Sequence, residues 1–159
     1  MDKKAIVLNL LDQLNAELEK AKAAYKTAKS TTQDADNKAE SKWDTRSIEA
    51  GYLAGAQKVR VDELEMDVNV IEELSNTPLD KKPAVGIGSL VEIEHNGTTR
   101  KYFIAPAAGG FMVKLGDEVA LVISVFSPIG NEVLDLVEGD HFEVETGSNL
   151  REYEVISYS

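Results

Sequence analysis

The sequence predicts an α+β protein in two parts: an antiparallel two-helix coiled-coil hairpin over residues 1–75, then a small antiparallel sheet domain with one short helix over 89–159. Three observations predict it. Apolar side chains recur at heptad spacing through the first segment, a stretch rich in Pro and Gly interrupts the chain at 76–88, and short runs of Val, Ile, Phe and Tyr follow to the end.

In the first segment Val7, Leu11, Leu14, Leu18, Ala21, Tyr25 and Ala28 are spaced 4, 3, 4, 3, 4, 3, the seam along which two helices pack side by side. No Gly or Pro precedes Gly51, so nothing breaks the first helix early. Val61, Leu64, Val68 and Ile71 form the return seam. Upstream of it, Ile48, Tyr52, Gly55 and Val59 follow a shifted track, which predicts a local irregularity in the supercoil. Gly51 and Gly55 are expected to face the small residues of AKAAYKTA in the first helix and let the two backbones approach. An antiparallel pairing then folds the chain near Ala39, and TTQDADNKAES, residues 31–41, becomes the hairpin tip. A polar tip is what any water-facing turn shows. The competing reading is a dedicated carboxylate site on the tip, spanning 34–44.

Composition narrows the function. The net charge of -11 leaves no basic surface for phosphate backbones, so nucleic acid is reached only through a protein partner. Residues 1–75 hold 11 Lys and Arg against 15 Asp and Glu, and residues 76–159 hold 6 against 13; the mixed signs of the first segment suit an exposed helical pair. With no cysteine and only His95 and His141, disulfides, thiolate chemistry and a histidine-rich zinc site are excluded. Any metal must be bound by carboxylates. Asp12 and Glu17 interrupt the apolar N-terminal run before it reaches signal-peptide or membrane length, so a soluble cytoplasmic protein without membrane association is expected.

SNTPLDKKPAVGIG reads as the linker at 76–88. The strands expected after it are SLVEIEH, RKYFIA, GFMVKL, EVALVISVF, HFEVET and REYEVISY, with a tight hairpin at Asn96-Gly97. PIGNEVLDLVEGD is the helix, opened by Pro128 and ended near Gly139. Nothing in this domain has catalytic spacing: both histidines read as surface residues, and Gly109-Gly110 as a turn because no Lys-Ser/Thr follows.

The segment ISVFSPIGNEVLDLVEGDHFEVETGSNLREYEVISYS resembles the C-terminal end of the bacterial Gre transcript-cleavage factors, the GreA/GreB family. The likeness falls on Ser127, Pro128, Ile129 and Gly130, then Gly139 and Asp140, Glu143 to Thr146, and Glu152 to Ile156. It implies an FKBP-like domain that docks on RNA polymerase core beside the secondary channel, with Ser127, Pro128, Ile129 and Gly130 as contact candidates. It also implies a coiled-coil hairpin entering that channel. In the family the tip resembles Asp-Leu-x-Glu-Asn-x-Glu-Tyr, whose acidic residues help hold a second magnesium ion and its water. Setting Ala39-Glu40 on the family's Ala-Glu, the x-Glu before the Tyr, puts Asp34 at the first acidic position and Asn37 where the first Glu stands. Asp34 and Asp36 are thereby the candidate ligands of a Mg²⁺ shared with the polymerase, and Glu40 a further tip carboxylate. Trp43 and Asp44, near the tip, are further polymerase-contact candidates.

The resemblance thus implies a monomeric transcription elongation factor with no enzymatic activity and no cofactor of its own, which modulates elongation and stimulates the polymerase to cleave backtracked RNA. Alternatives are a channel binder without cleavage activity, acting as inhibitor or competitor, and an FKBP-like prolyl isomerase or chaperone. A dimeric coiled coil is disfavoured by the polar tip.

Overall fold

The structure, a computed structural model, describes residues 1–38 and 45–159. Helix α1 spans Lys3–Lys38 and α2 spans Thr45–Ser75; the expected turn at Ala39 lies outside the described residues. The chain divides into two compact units, Gln13–Val68, and Met1–Asp12 together with Asn69–Ser159.

The described residues of the first unit form a helix pair. Leu14, Leu18, Ala21 and Ala28 of α1 are buried, as the heptad predicts, and Tyr25 is half-buried. The antiparallel pairing is fixed by a polar tie: Thr32 Oγ1 donates to Ala50 O at 2.8 Å, with Ala28 O of its own helix also within reach at 2.9 Å.

The inward track of α2 differs from the expected one. Ala50, Val61 and Leu64 are buried and Ala54, Gln57 and Val68 half-buried, so the heptad runs without interruption and no supercoil irregularity arises. Ile48, Tyr52, Gly55 and Val59 instead face outward, with Tyr52 78% exposed and Val59 57%. The physical reason is spacing: Ala50, Ala54, Gln57, Val61, Leu64 and Val68 keep the 4, 3, 4, 3, 4 rhythm that continues the return seam, and Ile48, Tyr52 and Val59 fall off that track.

The close-approach role expected of Gly51 and Gly55 is overturned with it. Both are exposed, and a Cβ at either meets nothing within 4 Å. Each therefore only weakens α2. Gly51→Ala and Gly55→Ala should each raise stability by about 1 kcal/mol, read as a higher thermal midpoint with unchanged helix content; a fall in either would restore the packing role.

In the second unit Ile6, Val7 and Leu10 of α1 and Ile71 and Leu74 of α2 are buried, and Lys4 Nζ donates to the Ser75 carbonyl. The strands are β1 (Leu90–His95), β2 (Thr98–Ala105), β3 (Met112–Leu115), β4 (Glu118–Ser124), β5 (His141–Thr146) and β6 (Asn149–Tyr158), in the order β3-β4-β2-β1-β6-β5. Asn96 and Gly97 both have positive φ (51° and 75°), the tight turn that their sequence requires between β1 and β2.

The sheet expected to be antiparallel throughout contains one parallel pair, β2 with β4. The chain leaves β2 through residues 106–111, reaches the edge as β3, and returns antiparallel to it as β4, which fills the place between β3 and β2. A tight hairpin entered from the far side makes the parallel contact. Alternation within single strands cannot report this, because it carries no information on partner direction.

Helix α3 (Pro128–Val133) lies over one face of the sheet, where Val91, Ile93, Ile104, Phe142, Val144, Tyr153 and Val155 form the core with Val133. It is shorter than the sequence suggests. Leu134 turns extended (ψ 141°), Asp135 takes φ 64°, and the freed backbone bonds to Val85: Asp135 N donates to Val85 O and Val85 N to Leu136 O, each at 2.9 Å. Segment 76–88 is thereby anchored, with Val85 buried in the core and Pro83 O accepting from the Tyr158 hydroxyl at 2.7 Å. No helix among the described residues is long and apolar enough to cross a membrane.

Candidate functional site

Two groups of residues carried functional expectations, and they lie in different units. On the helix pair, Asp34 sits in α1 two residues beyond the Thr32 tie, exposed to solvent. Positions 36 and 37 continue the same helix, so Asp36 and Asn37 belong to α1. Glu40, Trp43 and Asp44 lie outside the described residues. Among the described residues no group of three His, Asp or Glu could hold a metal ion by itself. An exposed carboxylate of this kind has vacant lone pairs and can complete a coordination sphere whose other ligands come from elsewhere.

The second group is the turn from β4 into α3. Ser127 is the N-cap, with φ -75° and ψ 156°; its Oγ accepts from Gly130 N at 3.1 Å and donates to Ser124 O at 2.7 Å. Pro128 stands at the first helical position, where its missing N–H costs nothing. Gly130 is buried, and a Cβ there would lie 2.0 Å from Ser124 O. The Ser-Pro-Ile-Gly motif therefore serves a tight corner: two of its four residues are consumed in holding α3 against the end of β4.

What the corner offers to a partner is narrower than the motif. Pro128 is exposed, Ile129 is half-buried against the core, and Phe126 is 86% exposed. Sequence reading missed Phe126 because EVALVISVF looks like one continuous strand. The strand ends at Ser124, where the serine hydroxyl accepts from Phe126 N at 3.2 Å, and the aromatic ring is left outside. A phenylalanine so placed loses hydrophobic stabilisation unless something covers it.

Comparison with known proteins bears on the sheet unit above all. A family model described as "Transcription elongation factor, GreA/GreB, C-term" matches residues 80–159. Among solved structures, the chain is similar to GreA factor homolog 1 (Gfh1) of Thermus thermophilus, at 20% identity over 94% of each chain and a TM-score of 0.38. It is also similar to Gfh1 of Thermus aquaticus, at 20% identity over 92% of each chain with a TM-score of 0.37. A GreA/GreB elongation factor from Nitrosomonas europaea matches at 20% identity over 57% of this chain and 77% of that one, with a TM-score of 0.37. No curated protein sequence matches. The family model takes in 80 of the 159 residues, everything from Asp80 through β6, and on that match the chain belongs to the GreA/GreB family of transcription elongation factors.

Proposed function

We propose that the chain binds RNA polymerase core, enters its secondary channel with the paired ends of α1 and α2, and modulates elongation there. The observation that carries this reading is the join of two features: a C-terminal half matched by the GreA/GreB model, and a long helix pair with exposed Asp34 beside the Thr32 tie. The tie matters because a carboxylate on a loose helix end would spend its binding free energy on ordering. It acts as a monomer and reaches nucleic acid only inside the polymerase complex.

Asp34 fits a Mg²⁺ ligand in charge, hardness and exposure, and the described residues around it do not complete a site, so in this reading the ion is one shared with the polymerase. Such an ion supplies an activated water for in-line attack on the phosphodiester. Asp34 would contribute one oxygen ligand to that ion; Asp36 and Glu40, two and six residues further along the sequence, would add negative charge. The chain is no enzyme in this reading: the cleavage belongs to the polymerase.

A second reading, a channel binder that does not stimulate cleavage, is favoured by one specific residue. Asn37 stands where the tip motif carries a Glu, and an amide supplies neither a full charge nor a base. An isomerase reading finds no such support. Purified protein should co-purify with core RNA polymerase at low-micromolar concentration, and absence of binding there would remove both polymerase readings. Shortening of RNA in backtracked complexes then separates them.

A further inference from the structure

The cavity of about 400 Å³ on the α3-bearing face of the sheet holds an anomaly for so acidic a chain. Arg100 and Arg151 both line it, and among the described residues neither makes an ion pair or a side-chain hydrogen bond. The chain carries 28 Asp and Glu against 17 Lys and Arg, so unpaired guanidiniums are the exception to be accounted for. Lys101, the next residue, shows the usual outcome: it is bonded to Glu118 and lies 3.7 Å from Glu92.

Strand alternation explains how they come to stand alone. Arg100 is in register with Ile93, and Arg151 lies two residues from Tyr153, so both emerge on the core side of the sheet. Glu92, Glu94, Glu152 and Glu154, at the alternate positions of the same strands, belong to the opposite face. Between the two arginines the floor is aromatic. Tyr102 and Tyr153 are buried, His95 stacks on Tyr153 at 4.6 Å between ring centroids with Nδ1 2.8 Å from Glu152 O, and Ile129 of α3 closes one side.

We infer that this cavity receives an acidic segment of the partner protein, with one carboxylate at each arginine and an apolar side chain between them on the tyrosine floor beside Ile129. The inference rests on the polymerase reading above and names the chemistry of the contact. The separation of the two cations selects the ligand. Arg100 and Arg151 stand two strands across and two pleats along, about 16 Å between Cα atoms. A single small anion is not chelated by both from upright side chains. Two carboxylates four or five residues apart in an extended segment match that span. Arginine suits the task, since its planar fork takes a carboxylate through two parallel hydrogen bonds. The cavity also joins the α3 corner to the site: Ile129 lies in its wall, one residue from exposed Pro128 and three from Phe126.

The test uses the full chain and core RNA polymerase, with dissociation constants measured at 50 and 200 mM salt for the wild type, Arg100→Glu, Arg151→Glu, the double reversal, and the double Arg→Lys variant. Thermal melts of each variant check folding; both arginines are exposed, so the melts should coincide. If a reversal variant does melt early, the double Arg→Gln form replaces it. The wild type should bind more weakly at the higher salt. The double reversal should lose at least about tenfold in affinity and most of the salt dependence, while the lysine pair keeps the salt dependence with a smaller loss. A wild type that binds as well as the double reversal at both salts overturns the acidic-segment assignment and leaves the polymerase reading standing. A wild type that does not bind overturns both.

Discussion

Gly130→Ala should lower the stability of the sheet unit by about 3 kcal/mol, at the upper end of what overpacking costs, and its thermal transition by roughly 10 °C or more. The added methyl carbon would sit 2.0 Å from Ser124 O and 2.8 Å from Ser124 C. These are backbone atoms at the end of β4, and Ser124 O already accepts from Ser127 N at 2.9 Å and Ser127 Oγ at 2.7 Å. They cannot move without breaking the corner. Relief therefore requires α3 to lift from the sheet, which exposes Val133 and loosens Ile129. Ser127→Ala removes only the cap, an effect of about 1 kcal/mol, and Pro128→Ala should be nearly neutral because Pro128 is exposed at a position any residue can occupy. The graded order Gly130, Ser127, Pro128 in chemical denaturation is the readout. An alanine at 130 tolerated at wild-type stability would mean that the motif is not explained by the close approach of α3 to β4.

That corner also shows how far the sequence was legible. Pro128 gave away the helix start, because a proline at the first helical position leaves a local chemical mark, whereas the cap at Ser127 and the close approach at Gly130 show only in the fold. The end of the same helix was misjudged. PIGNEVLDLVEGD keeps helical-looking spacing to Gly139, but Leu134 to Leu136 are claimed by Val85, nearly fifty residues upstream. Long-range pairing of that sort has no local signature. The parallel β2–β4 contact was hidden for the same reason.

The helix pair failed differently. The seam of α1 was read correctly from Leu14 to Ala28 because large and small apolar residues there all point inward. In α2 the larger apolar residues Ile48, Tyr52 and Val59 outcompeted Ala50, Ala54 and Gln57 as an apparent seam, and hydrophobicity alone cannot rank alanine above tyrosine. Register can: counting back from Val61 in steps of 4, 3 and 4 reaches Gln57, Ala54 and Ala50, and not the larger residues. The arginines of the cavity were invisible for a third reason. Their significance lies in lacking partners, and that is a property of the folded sheet.

Asn37→Glu should raise stimulation of RNA cleavage in backtracked complexes by about tenfold to a hundredfold, the scale on which even outer-sphere partners of a metal ligand act, and Asp34→Ala should abolish it in either background. Positions 34 and 37 are three apart in α1, about one helical turn. A glutamate at 37 restores both properties the amide lacks, a full charge and oxygen-only donation, and Mg²⁺ takes hard oxygen ligands. The Asp34 carboxylate has no competing partner to surrender: it is exposed, and no ion pair among the described residues involves it. Four proteins, the wild type, both single variants and the double, assayed at fixed Mg²⁺ on the same stalled complexes, give a cycle that isolates the coupling between the two positions. A silent wild type with an active Asn37→Glu form identifies a channel binder whose cleavage function one amide switches off. Equal cleavage by the wild type and Asp34→Ala would remove Asp34 as a ligand. The thermal midpoints of all four should agree closely, since Asp34 is exposed and both positions lie beyond the Thr32 tie in sequence.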